Sequence, residues 1–177
     1  PSSGISAALG YAEEADIPYE KGILRNKYVG RTFIQPTQKI RDLKVRLKLN
    51  PIKEIIKDKK IILIDDSIVR GTTSKQIIRM MREAGAKEVN MAISSPPVQE
   101  PCFYGLDTSR RQELIAGKKT VSEICEHIGA DSLSYLSLEG LMKSINAASD
   151  GYCTSCFDGN SPLVRNNRSD EENGGNI

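Results

Sequence analysis

Long hydrophobic runs are missing from this sequence: the longest, such as Ile61 to Ile64, cover a few residues, against the roughly 20 that a membrane-crossing helix needs. No membrane partner is expected. An excess of one charge is missing too, because 25 Lys and Arg face 23 Asp and Glu for a formal net charge of +2, which gives no electrostatic footprint for nucleic acid. Histidine occurs once, at His127; it stands just before a glycine expected to end a helix, where a C-terminal dipole contact accounts for it and no catalysis is assigned. A secretion signal, an internal repeat, a Rossmann glycine fingerprint and the Gly-x-x-x-x-Gly-Lys-Ser/Thr spacing of a nucleotide P-loop are all absent. Pro1 rather than Met stands first, and a piece of a longer protein is expected.

What is present suits a globular chain: 177 residues, 38% hydrophobic and 27% charged, enough for one core. Apolar spacing predicts a helix over 4–15 with Ser3 as its cap, an extended segment over 17–24, a basic aromatic loop over 25–36 and a basic amphipathic helix over 37–49 interrupted by Pro51. Lys60 to Asp65 is an unalternating, β-branched run, which predicts a central strand covered on both faces. A helix over 73–83 follows, with Thr73 and Gln76 at capping-box spacing and Gly85 as its stop. Strands over 88–93 and 133–136 and helices over 121–127 and 138–146 complete an alternation that implies a parallel α/β sheet. The segment from Asp158 onward has almost no apolar content and is expected to be a disordered tail, leaving 1–157 as the folded part.

Chemistry concentrates at the end of the Lys60–Asp65 strand. In an open parallel sheet ligands bind beyond the carboxyl ends of the strands, and here the strand runs into Asp65, Asp66, Ser67, Ile68, Val69, Arg70, Gly71, Thr72, Thr73 and Ser74. Successive amides entering a helix N-terminus, with hydroxyls from Ser67, Thr72 and Thr73, make a cradle for a phosphate monoester. Two carboxylates beside a phosphate would repel it unless they held vicinal sugar hydroxyls or a divalent metal. Diol plus phosphate points to a ribose 5-phosphate. A capped turn with an incidental acidic pair is the simpler reading, and the unbroken length of the pattern argues against it.

Strand, acidic pair and Gly-Thr-Thr together resemble the signature of type-I phosphoribosyltransferases. With Tyr28 to Pro36 and Pro101 to Gly105, they resemble more closely the glutamine phosphoribosylpyrophosphate amidotransferases, over residues 1 to about 163. The resemblance implies a type-I phosphoribosyltransferase fold without the N-terminal glutaminase domain and without the first strands of its own domain. It also implies a cytoplasmic homo-oligomer that makes phosphoribosylamine from 5-phosphoribosyl-1-pyrophosphate and ammonia, the first step of purine biosynthesis. By the same resemblance Asp65 and Asp66 would contact the ribose and, with Ser3, hold Mg²⁺, while Ser67 to Thr73 would hold the 5-phosphate. Tyr28, Arg31 and Lys48 would close over the pyrophosphate. Ser2 departs from the family, which has an acidic residue there.

Among the 4 cysteines, Cys153 and Cys156 are spaced as Cys-x-x-Cys; taken alone, the pair suits zinc, an iron–sulfur centre or redox chemistry in a reducing compartment. The resemblance implies that Cys102, Cys153 and Cys156 bind a 4Fe–4S cluster with a fourth cysteine upstream of Pro1. Cys125 reads as core packing. Two alternatives remain open: a phosphoribosyltransferase-fold regulator that binds the same ligand without catalysis, and a salvage enzyme acting on a free base.

Overall fold

The computed structural model describes residues 2–26, 49–102, 104–105, 110–145 and 151–160. A 3-10 turn over Ser2–Gly4 leads into α1 (Ile5–Glu14), then β1 (Ile23–Arg25), β2 (Leu49–Pro51), α2 (Lys53–Ile56), β3 (Lys60–Asp65), α3 (Thr72–Glu83) and β4 (Glu88–Ile93). After two further 3-10 turns, Arg111–Glu113 and Ile115–Gly117, come α4 (Val121–Ile128), β5 (Ser132–Tyr135), α5 (Leu138–Ser144) and α6 (Ser155–Asp158). The expected basic loop and basic helix lie almost wholly outside the described residues, as do residues 161–177 of the expected tail.

β3, β4 and β5 form a parallel sheet in that order, with Asp65 opposite Ile93 and Ile93 opposite Tyr135. The α/β alternation expected from the sequence is therefore present, with one correction. Among the described residues the middle strand is β4, and β3 lies at the edge of the sheet. The reason is visible in burial: β4 alternates strictly, with Val89, Met91 and Ile93 all buried, whereas Ile62 of β3 remains 41% exposed. An unbroken apolar run reports hydrophobic side chains on both faces of a strand, and says nothing about how many neighbours the strand has.

Ile61 and Leu63 face a core made by Ile77, Ile78 and Met81 of α3, the buried face of β4, and Ile124 and Ile128 of α4. The amphipathic spacing in α3 and α4 puts those residues on one stripe each, which is why both helices lie against the sheet. α1 packs against β3, and the Ser2–Gly4 turn sits so near its end that a Cβ on Gly4 would stand 2.9 Å from the Ile64 carbonyl oxygen.

The helix starts differ from expectation. Gly4, not Ser3, caps α1, without a side-chain bond, and α3 begins at a left-handed Gly71 (φ 75°) with no Thr73–Gln76 box. The reciprocal box belongs to α4, where the Glu123 amide donates to Thr120 Oγ1 and the Thr120 amide donates to Glu123 Oε2 at 2.7 Å. Pro51 pairs with Ile23 in a small antiparallel ladder of β1 and β2, an edge position that tolerates its missing N–H. Cys125 is half-buried, and its thiol donates to the Ala130 carbonyl, in keeping with a packing role.

Candidate active site

Asp65 ends β3 and is only 7% exposed, while Asp66, the next residue, faces solvent. The Asp66 amide donates to Asp65 Oδ1 at 3.0 Å. Across the sheet, Ser94 donates to the Asp65 carbonyl from its amide at 3.0 Å and from its hydroxyl at 3.3 Å, which pins the backbone of the acidic residue to β4. Burial, followed by the second carboxylate alongside, pushes the Asp65 carboxyl up from its ordinary 3.8 to about 6. No salt bridge to either aspartate is present among the described residues. A buried carboxylate with a like-charged neighbour is a site that a divalent ion would satisfy.

Beyond the pair the chain turns through Ser67 to Gly71, with Ile68 (2% exposed) as a plug into the core. Gly71 needs its left-handed φ to redirect the chain into α3, and a Cβ there would come within 3.0 Å of Ile115 Cδ1 and 3.5 Å of His127 Cδ2. Thr72 and Thr73 are the first, exposed residues of α3. Their amides belong to the first turn, which has no intrahelical acceptors and carries the positive end of the helix dipole. Residues 65–74 thus line one cleft of about 440 Å³, the stretch in which every substrate-binding residue was expected.

Three further cleft residues, Arg110, Glu113 and Leu114, come from the irregular segment after β4. Sequence reasoning missed them because that segment has no hydrophobic period. The edge of the His127 ring also lies near the turn, although its place in the last turn of α4 fits the expected dipole contact as well. Ser3 is exposed on the turn that abuts the end of β3, and it makes no hydrogen bond to Asp65 or Asp66 among the described contacts. Tyr28, Arg31 and Lys48 lie outside the described residues.

The cysteine segment is tied to the chain after β4 by backbone hydrogen bonds. The Gln99 and Glu100 amides donate to the Cys156 carbonyl at 2.9 and 3.1 Å, which ties the Cys156 segment to the stretch that leads to Cys102. Burial first, and then the neighbouring Cys102 and Cys153 thiols, hold the Cys156 thiol above its ordinary range. The donor chemistry of three neighbouring thiols suits a soft metal. As they stand they are neighbours and not a ligand set, since no group of three metal-binding side chains occurs among the described residues. Among the described residues no helix is long and apolar enough to cross a membrane.

Fold and cleft together define an α/β domain with a turn-and-helix cradle at the end of a parallel strand, and the chain belongs to the phosphoribosyl transferase domain family, whose pattern matches residues 1–129. It is 55% identical over 166 residues to the amidophosphoribosyltransferase of Bacillus subtilis, covering 92% of this chain and 35% of that protein. The corresponding figures for the amidophosphoribosyltransferase of Synechococcus elongatus are 53% over 164 residues, 93% and 33%. The solved structure of glutamine phosphoribosylpyrophosphate amidotransferase from B. subtilis, complexed with ADP and GMP, is similar at a TM-score of 0.81 and 54% identity, over 92% of this chain and 36% of that one. The chain spans about a third of the length of these relatives.

The raised Asp65 carboxyl has a consequence for stability without metal. Folding disfavours its ionised form, so stability is greatest with Asp65 protonated below about pH 4 and is lost as pH rises through about 6. Glu88, Glu123 and Asp131 are held below their ordinary ranges and act in the opposite direction. The readout is therefore the difference between wild type and Asp65→Asn in chelator, by thermal or urea unfolding from pH 4 to 8. The variant should gain on the order of 2–3 kcal/mol relative to wild type across that range. A pH-independent difference would show that the carboxyl is not perturbed.

Proposed function

We propose that this chain is the phosphoribosyl-transferring part of an amidophosphoribosyltransferase. In the complete enzyme, ammonia released from glutamine by a glutaminase domain would displace pyrophosphate from 5-phosphoribosyl-1-pyrophosphate to give 5-phosphoribosylamine. The observation that carries this reading is the acidic pair at the end of β3 sharing one cleft with the turn and helix start of Ser67 to Thr73. Relatives of that name, more than half identical over nearly the whole chain, support it.

In this reading Asp65 and Asp66 accept hydrogen bonds from the ribose hydroxyls and hold Mg²⁺, with Ser3 on the adjoining turn. When bound, that ion offsets the negative charge of the pyrophosphate. The amides and hydroxyls of residues 67–73 fix the 5-phosphate, so the anomeric carbon is presented in one orientation. Tyr28, Arg31 and Lys48 cover the pyrophosphate, stabilise the charge that grows on it as the bond breaks and exclude water that would hydrolyse the sugar. The enzyme so described is a cytoplasmic homo-oligomer, and Cys102, Cys153 and Cys156 hold a structural 4Fe–4S cluster with a fourth thiol from elsewhere in the longer protein.

Replacing both aspartates in the complete enzyme, Asp65→Asn with Asp66→Asn, should weaken 5-phosphoribosyl-1-pyrophosphate binding in calorimetry by about 1.5–3 kcal/mol per charge-assisted hydrogen bond lost. Unchanged affinity with the fold intact by circular dichroism would sink the assignment.

Lys48→Ala, assayed with ammonia as donor, should lower kcat more than it raises KM, because the charge it meets develops in the transition state. An effect on KM alone would make Lys48 a ground-state clamp.

For the cluster, anaerobic reconstitution of the complete enzyme should give about four iron and four sulfide per chain with visible absorption, lost on replacing Cys102, Cys153 or Cys156 by Ser. A colourless protein that takes up zinc through the same cysteines would replace the cluster with a zinc staple.

A further inference from the structure

The phosphate turn does not make its own far wall. Three contacts from the segment after β4 hold it: the Ile115 amide donates to the Val69 carbonyl at 2.9 Å, the Ile115 side chain fills the space beside Gly71, and the Glu113 carboxylate pairs with the Arg70 guanidinium. Leu114, 1% exposed between the two contact residues, roots that segment in the fold. The ion pair itself is worth little as a stabilising contact. Its side chains are 60% and 42% exposed, and solvent-exposed pairs of that kind contribute little to stability.

Its geometry matters more. A trans peptide is planar, so a carbonyl fixed toward Ile115 points the N–H of the same unit the opposite way. Holding the Val69 carbonyl and the Arg70 side chain together therefore fixes both ends of the peptide that carries the Arg70 amide, in the middle of the cradle. The pairing also occupies the Arg70 guanidinium, which would otherwise be a mobile cation at the lip of the cleft. By contrast Arg110, on the same wall, makes no ion pair among the described residues.

We propose that Glu113 is a positioning residue for phosphate binding: by pairing with Arg70 it locks the Val69–Arg70 peptide in the orientation that the 5-phosphate meets, and it keeps Arg70 a wall of the site instead of a direct ligand. The inference rests on the phosphoribosyl reading of the cleft and adds to it a residue outside the strand-turn-helix pattern. It makes Glu113 and Arg70 a single unit, so removing either partner has the same effect as removing both.

Calorimetry of the complete enzyme with ribose 5-phosphate tests this, using Glu113→Gln, Arg70→Gln, the double variant and Glu113→Asp, with melting curves in parallel. Glu113→Gln should weaken binding about tenfold, with an unchanged melting midpoint. Arg70→Gln and the double variant should match it, and Glu113→Asp, which keeps the charge, should recover part of the loss. Wild-type affinity or tighter binding in Glu113→Gln would overturn the proposal, the second by showing Arg70 to be a phosphate ligand that Glu113 holds back. Additive losses, or a loss matched by a fall in the melting midpoint, would overturn it too. Wild-type binding that depends on Asp65 and Asp66 but ignores Glu113 removes only this inference; wild-type binding that ignores both aspartates removes the phosphoribosyl reading as well.

Discussion

A carboxyl group held almost out of water beside a second carboxyl is the constraint around which this site is organised. Asp65 cannot relax away from it, because its carbonyl is bonded twice by Ser94 on the neighbouring strand and its position is set by the register of β3 on β4. The sheet thus enforces a local electrostatic cost that a flexible chain would avoid. A cation arriving at the pair would offset that cost, and the turn after Asp66 lines the same cleft. Ile68 anchors the turn from below, Gly71 provides the left-handed conformation that aims it into α3, and the first residues of that helix line the cleft.

The parts of this arrangement that could be read from the sequence are those whose causes are local. β4 runs from Glu88 to Ile93 as its alternation predicts, α3 and α4 follow their apolar stripes, and Gly129 ends α4 in the left-handed conformation that glycine accepts without strain. The cleft lining from Asp65 to Thr73 was legible for the same reason: a strand end, a turn and a helix start are contiguous in the chain.

What was not legible depends on partners distant in sequence. Nothing in the run Ile61 to Ile64 says that it borders one described strand instead of two, and nothing around Pro51 announces Ile23 as its partner. Side-chain caps failed where the backbone already had a solution. A left-handed Gly71 sets the start of α3, so the hydroxyl of Thr73 stays available to the cleft, whereas α4, which starts on the exposed surface, uses the Thr120–Glu123 box. Glu113 and Arg110 escaped for a third reason: irregular chain has no period, and only the folded backbone brings it to the turn.

That irregular stretch also settles how the two chemically distinctive parts of the chain relate. From the phosphate turn, the Ile115 amide on the Val69 carbonyl leads to the Ile115–Gly117 turn, where a Cβ on Gly117 would come within 2.8 Å of the Gln99 carbonyl oxygen. Arg111 pairs with Glu100 at 2.9 Å, and the amides of Gln99 and Glu100 bond to Cys156. The contacts are continuous, and contiguity by itself, without a two-state element, does not transmit a signal. The physical role that follows is mechanical. A segment whose own hydrogen bonds amount to two short 3-10 turns is held from both sides, by the turn of residues 67–71 and by the cysteine segment.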